Sequence, residues 1–334
     1  MVKSKLLIVE SPAKCGKIEG FLGPGYRCLA TFGHLRSLNN LKDIDFSNHF
    51  SPTFTIMDTK RKQIKTLQVA ISQADEVLLA TDNDREGEAI AWHVCMLFNL
   101  PIKTTKRILF QEITKPALER AVRNPTTLNM NLINAQQCRQ IIDLLVGYKV
   151  SPTLWDNISR NSKDGLSAGR CQTPALKIIY DNYKDIEDSP GEMVYTVQGI
   201  FTNLNIPFVL NKTLKEKENA EEFMNENIDF KHIFSREPLR KTIKSPPQPF
   251  TTSKLQQVAN SELRSSPKDT MKTCQKLYEA GYITYMRTDS TTYNKDFIES
   301  TKTYIIKTWS EDYVSTKIDD LAERGGSKDA QEAH

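Results

Sequence analysis

The stretch "ATDNDREGEAIAWH", Ala80 to His93, decides the fold of this chain. Five charged residues, four acidic and one basic, fall in the seven positions Asp82 to Glu88. The apolar run Val77–Leu79 before them reads as a buried strand. "GEAIAWHVCMLF" (87–98) after them carries apolar residues at helical spacing. In an extended segment residues two apart share a side, so Asp82, Asp84 and Glu86 converge at the carboxyl end of a strand. Open α/β sheets form their sites there. Crowded carboxylates repel one another unless a cation neutralises them, and hard oxygen donors suit Mg²⁺. A solvated acidic loop salt-bridged to Arg85 is the plainer alternative. The flanking strand and helix favour the metal site.

A second carboxylate stands in the same kind of place. Glu10 directly follows "LLIV" (6–9), the end of another buried strand. Lys14 then falls in the first turn of a helix over 12–22, where Pro12 is well suited and anions are favoured. Further strands are expected at 26–32 and 107–110, and helices at 60–74 and 114–122. Strand alternating with helix at this rhythm predicts a doubly wound, mostly parallel sheet over 1–128. Residues 129–188 read as helical, 189–246 as β-rich with alternation over 192–211, and 247–334 as helical (252–264, 267–281, 293–310). Pro246, Pro247 and Pro249 mark the last boundary.

The bulk properties narrow the function classes. The chain has 334 residues, 39% hydrophobic and 26% charged, with a net charge of +4 that permits a polyanionic partner. No apolar run reaches 18 residues, so no transmembrane helix is expected. Six scattered cysteines include no C-x-x-C pair, which argues against a zinc ribbon and for reduced thiols in an intracellular protein. "CGKIE" lacks the features of a phosphate-binding loop for nucleotides, so ATP use is not suggested.

Five ordered motifs, "IVESPAK", "ATDNDREGEAIAWH", "GLSAGRCQTPAL", "PFTTSKLQQ" and "YITYMRTDS", resemble the type IA DNA topoisomerases. "TYMRTDS" is closer to the bacterial-type topoisomerase I than to topoisomerase III. The resemblance implies an α/β Toprim domain followed by mixed α+β core domains in a toroidal architecture, incomplete in this chain because the family continues beyond "DAQEAH". It implies Glu10, Asp82, Asp84 and Glu86 as the acidic set for Mg²⁺. Tyr285 matches the nucleophile, which in the family forms a 5′-phosphotyrosine. A phenol of pKa about 10 is almost wholly protonated at neutral pH, so it needs a base or a nearby cation. Arg287, two residues on, is suited to the phosphate transition state, and Glu10 or Lys14 to the leaving-group proton. The ester keeps the energy of the broken bond, so rejoining needs no nucleotide.

The same resemblance implies single-stranded DNA as partner, a monomer, and DNA contacts from His34, Arg107, Arg139, Gln140, Asp143, Trp155, Ser167, Arg170, Gln172, Thr288, Asp289 and His334. Gln275, Glu279 and Thr284 match the shell around the tyrosine. There are departures: Gln140 and Leu144 stand where bacterial enzymes tend to have arginines, and Asn83 where Pro or Leu is usual. Each residue also has a plainer reading. Tyr285 alone would be an ordinary half-buried tyrosine, Lys14 and Arg107 solvated charges, His34 a turn histidine, and Arg139 with Asp143 an i,i+4 ion pair. A non-catalytic DNA-binding module is the alternative function. A Toprim nuclease or primase is disfavoured by "TYMRTDS".

Overall fold

The computed structural model describes residues 4–159, 165–242, 244 and 247–322. Contacts divide the chain into two compact units, Met1–Ala168 with Pro247–His334, and Gly169–Pro246.

The first unit is built on a four-stranded sheet. Its strands are β1 (Lys5–Val9), β2 (Tyr26–Ala30), β3 (Glu76–Leu79) and β4 (Lys106–Arg107), in the order β2-β1-β3-β4 with every pair parallel. Leu7 opposes Cys28 on one side and Leu78 on the other. Both sheet faces are covered, which is why β1 is a continuous apolar run and not an alternating one. Leu7, Val9, Cys28 and Leu78 face helices α1 (Cys15–Leu22) and α4 (Lys115–Arg123). Leu6, Ile8 and Leu79 face α2 (Arg61–Gln73), α3 (Arg85–Leu97) and the start of α5 (Met130–Asn157). The sheet is thus doubly wound, as the alternation of elements predicts. The chain leaves β1 towards β2 on one side and returns to β3 on the other. The reversal lies between β1 and β3, so the segments after these two strands, which carry Glu10 and Asp82, flank the crevice where such sheets bind ligands.

The C-terminal segment packs on the α1/α4 face. Helices α8 (Thr252–Leu263), α9 (Pro267–Glu279) and α10 (Lys295–Thr308) follow Pro249, and Cys274, Tyr278, Tyr285 and Met286 join the same core as Leu7 and Val9. The Tyr285 amide donates to the Gln111 carbonyl at 2.7 Å, tying the tyrosine segment to the loop after β4. In the second unit, α6 (Gln172–Glu187) precedes the hairpin of β5 (Gln198–Phe201) and β6 (Ile206–Val209) and then α7 (Lys217–Asn227).

Three boundaries differ from expectation. The strand expected at 107–110 is Lys106–Arg107, although Ile108 still donates to Leu79 at 2.9 Å. The alternating stretch 192–211 forms strand mainly as the hairpin Gln198–Phe201 and Ile206–Val209. Helix α3 begins at Arg85, two residues early, because the Asp84 side chain caps it by accepting from the Gly87 amide at 2.8 Å.

Candidate active site

Asp84 joins the two halves of the site. Its backbone is extended and its Oδ1 caps α3, which leaves Oδ2 for other partners. The Tyr285 hydroxyl donates to that oxygen at 2.6 Å, and the Arg287 guanidinium reaches it at 3.0 Å. The expected nucleophile, cation and carboxylate therefore meet on a single oxygen atom. Tyr285 is 2% exposed, and its ring meets that of Tyr278 edge-on at 5.1 Å. Burial, with Asp84 and Asp82 close by, holds the phenol well above its ordinary pKa. The hydroxyl is protonated in this arrangement.

Asp82 pairs with Lys14. Lys14 is fully buried, its ammonium bound to Asp82 Oδ1 and lying 4.8 Å from the centre of the Tyr278 ring. Glu10 is the acid left over. Burial, reinforced by Asp82 and partly offset by Lys14, pushes its carboxyl up to about 7. A cleft of about 520 Å³ brings Glu10, Asp82, Glu86, Tyr285 and Arg287 to one wall space, with Gln275 and Glu279 on its rim. Gln275 donates to Glu279 at 3.0 Å across one turn of α9.

The third residue of the alternating set does not behave as an extended strand predicts. Glu86 lies in the first turn of α3 and lines the same cleft as Glu10 and Asp82. It accepts from Gln136 at 3.0 Å, meets His34 at 3.3 Å and faces Arg139 at 3.8 Å. Hydrogen bonds from His34 and then Gln136 hold its carboxyl below the usual range. Arg139 also faces Asp143 at 3.9 Å, the expected i,i+4 pair. Among the described residues no group of three or more His, Cys, Asp or Glu is gathered into a ready cation cage.

Two expected DNA contacts lie in the interior instead. Arg107 is 0% exposed: it pairs with Glu88 at 3.0 Å and donates to the carbonyls of Leu79, Thr81, Ile108 and Asp82. It ties the end of β3 to the acidic loop from within. Thr288 is 2% exposed, and its amide donates to Thr252 Oγ1 at 2.8 Å while its carbonyl accepts from the Thr252 amide at the N-terminus of α8. Trp155, half-exposed, donates its indole N–H to the Leu166 carbonyl. Ser167, Gln172 and Asp289 are exposed, while Gln140 and Arg170 are half-buried. His334 lies outside the described residues.

Sequence reasoning passed over two residues that build the site. Glu88, also buried, braces Arg107 and accepts from the Asn129 amide at 2.6 Å. Gly87 sits so close to the acidic loop that a Cβ would come 2.1 Å from the Asp82 carbonyl oxygen. A glycine five residues beyond the first aspartate, Asp82, was the available signal for that close approach.

The comparisons agree with this geometry. The family model for DNA topoisomerase matches residues 127–334, and that for the Toprim domain matches residues 5–113. DNA topoisomerase 1 of Campylobacter jejuni subsp. jejuni is 41% identical over 357 aligned positions, which take in 100% of this chain and 49% of that protein. The chain therefore spans about half the length of this curated relative. The structure of full-length topoisomerase I from Thermotoga maritima superposes with a TM-score of 0.78 at 34% identity, over 93% of this chain and 54% of that one. Toprim domains generally bind metal. These matches place the chain in the type IA DNA topoisomerase family, as a portion of it that includes the Toprim domain.

Proposed function

We propose that this chain carries the strand-cutting and rejoining centre of an ATP-independent type IA DNA topoisomerase, which relaxes negatively supercoiled DNA. Single-stranded DNA is its partner and Mg²⁺ its cofactor. The observation that carries the reading is the sharing of Asp84 Oδ2 by the Tyr285 hydroxyl at 2.6 Å and Arg287 at 3.0 Å.

The chemistry follows from these placements. Arg287 is about half exposed and leans into the cleft, so an entering phosphate competes with Asp84 for its guanidinium. Asp84 keeps the Tyr285 hydroxyl and is the nearest acceptor for its proton. As the phenol oxygen bonds to phosphorus, that proton passes to Asp84 and the bond from phosphorus to the 3′ oxygen breaks. Glu10, held near neutrality at about 7, is half-protonated in this range and gives its proton to the departing 3′ oxygen. The products are a 5′-phosphotyrosine and a free 3′ hydroxyl. Rejoining runs the same proton transfers backwards. Buried Lys14 keeps Asp82 neutralised beside them.

Glu10, Asp82 and Asp84 suit a divalent cation. All are hard oxygen donors, and burial, with Asp82 beside it, raises the Glu10 carboxyl, which a bound cation would offset. A bound Mg²⁺ would neutralise this crowding and polarise a phosphate oxygen.

The test is capture of a covalent complex. The chain is incubated with end-labelled single-stranded DNA, denatured and resolved on a gel. A denaturant-resistant adduct is expected, lost in Tyr285→Phe, whose DNA retention on a native gel stays near that of the parent. An adduct formed by Tyr285→Phe would exclude Tyr285 as nucleophile. Retention without any adduct would favour the binding-only reading. One observation speaks for that reading: Leu176, Ile178, Ile179 and Ile186 of α6 are about two-thirds exposed, uncovered among the described residues.

A further inference from the structure

The cleft in front of Tyr285 has an aromatic wall. Phe32 lines it together with Glu10, Gly33 and Arg287. The backbone at Phe32 has φ +58°, and Gly33 follows at +90°. A bulky L-residue rarely adopts this left-handed conformation, because Cβ crowds the next carbonyl oxygen. Here hydrogen bonds fix it from both sides. The Thr31 amide donates to the Val9 carbonyl at 2.9 Å, and the Lys60 ammonium donates to the Phe32 carbonyl.

The side chain held this way is 52% exposed, although Thr31 before it and Leu35 after it are buried. Folding alone favours neither the strained backbone nor the solvated ring; Gly or Asn fits such a φ with less strain. Phe54, not far along the chain, shows the usual outcome: its ring packs edge-on against Trp92 at 5.8 Å and His93 at 4.7 Å. Strain of this kind at a reaction centre points to a role in it. What Phe32 presents to the cleft is a flat apolar face, and every nucleobase has a matching one.

We propose that Phe32 is the stacking platform for one nucleobase beside the phosphate that Tyr285 attacks, making it a positioning and specificity residue. The inference rests on the reading of Tyr285 given above. Stacking recognises the presence and size of a base more than its hydrogen-bonding edge, so one position of the strand should require a base and prefer a purine.

The test walks a single abasic site along a fluorescent single-stranded oligonucleotide. Affinity for the full chain is read by anisotropy at fixed salt, and adduct yield is read in parallel. With the parent protein, one position is expected to weaken binding about tenfold when its base is removed. Phe32→Ala and Phe32→Asn should bind intact DNA about tenfold more weakly and be indifferent to that abasic position. Phe32→Trp should restore both the affinity and the dependence. Asparagine suits the left-handed backbone, so this variant removes the ring without added strain. The proposal is overturned if Phe32→Asn keeps the parental abasic profile, or if it weakens every oligonucleotide equally while retaining the dependence. The binding arm decides Phe32 even when no adduct forms, whereas loss of the adduct in the parent protein would count against the Tyr285 reading.

Discussion

Glu10→Gln should make the metal-free protein more stable at neutral and alkaline pH. In the folded chain the Glu10 carboxyl titrates at about 7, against an ordinary 4.5. The folded state therefore binds the Glu10 proton more tightly than the unfolded state does. Between these two values, stability falls as pH rises, and above them the loss is complete. Converted at about 1.4 kcal/mol per pH unit, the span corresponds to about 3 kcal/mol. Glu10 is only partly shielded from water, so the realised gain should be roughly 1–3 kcal/mol. Glutamine keeps the shape and removes the charge. All three tryptophans, Trp92, Trp155 and Trp309, lie in the first unit, so their fluorescence reports the unfolding of the unit that holds Glu10. Urea titrations without divalent ions at pH 8 should show the variant unfolding later than the parent. At pH 4.5 the curves should nearly converge, because the folded parent is then protonated at Glu10 and the unfolded chain about half protonated there. Added Mg²⁺ should stabilise the parent more than the variant and shrink the gap at pH 8. A variant no more stable than the parent at pH 8, or equally stabilised at pH 4.5, would refute the assignment of an unneutralised charge to Glu10.

Three further outcomes are expected. Burial, with Arg36 and His34 beside it, holds the His93 imidazole down at about 3. Its contribution is present above the unfolded value near 6.5 and is lost as pH falls from there, by up to about 1.4 kcal/mol per pH unit; His93→Gln should flatten this acid limb in thermal melts between pH 6 and 4. Gly87→Ala would force a Cβ to 2.1 Å from the Asp82 carbonyl, so it should displace the acidic loop, abolish adduct formation and lower the melting temperature. Arg107→Met should destabilise the fold by about 3–5 kcal/mol because it leaves Glu88 buried without its partner. A stable Arg107→Met protein with weakened DNA binding would instead restore Arg107 as a DNA contact.

What was legible in the sequence follows from how far each feature depends on distant residues. The strands β1 and β3 announce themselves because a parallel sheet covered on both faces demands unbroken apolar runs. Glu10, Asp82 and Asp84 are legible because each follows such a run directly. Glu86 belongs to helix α3, not to an extended strand, because the side chain of Asp84 starts the helix early. Arg107 and Thr288 misled for another reason. A polar side chain is drawn inside only when partners remote in sequence satisfy it, as Glu88 and four carbonyls do for Arg107. No local pattern records those partners. Tyr285 itself is unremarkable in composition and periodicity, and only its surrounding motif singles it out. The backbone twist at Phe32 is equally hidden, since a Phe-Gly pair is compatible with many conformations.

On the proposed mechanism, the resting geometry would also keep the Tyr285 hydroxyl unreactive. A phenol that could ionise freely would attack any phosphate that drifted near. Here burial and the neighbouring carboxylates Asp84 and Asp82 keep the Tyr285 proton in place. The same Asp84 oxygen that accepts this hydrogen bond also holds Arg287, so the cation needed for the transition state is occupied as well. On the proposed mechanism, an anionic phosphate entering the cleft draws off Arg287 and leaves Asp84 with the hydroxyl alone. This coupling requires that the arginine and the phenol share an acceptor. Asp84→Asn, which keeps one oxygen for the α3 cap but presents an amide N–H to the hydroxyl and cannot take up its proton, should bind DNA and yet form the adduct far more slowly.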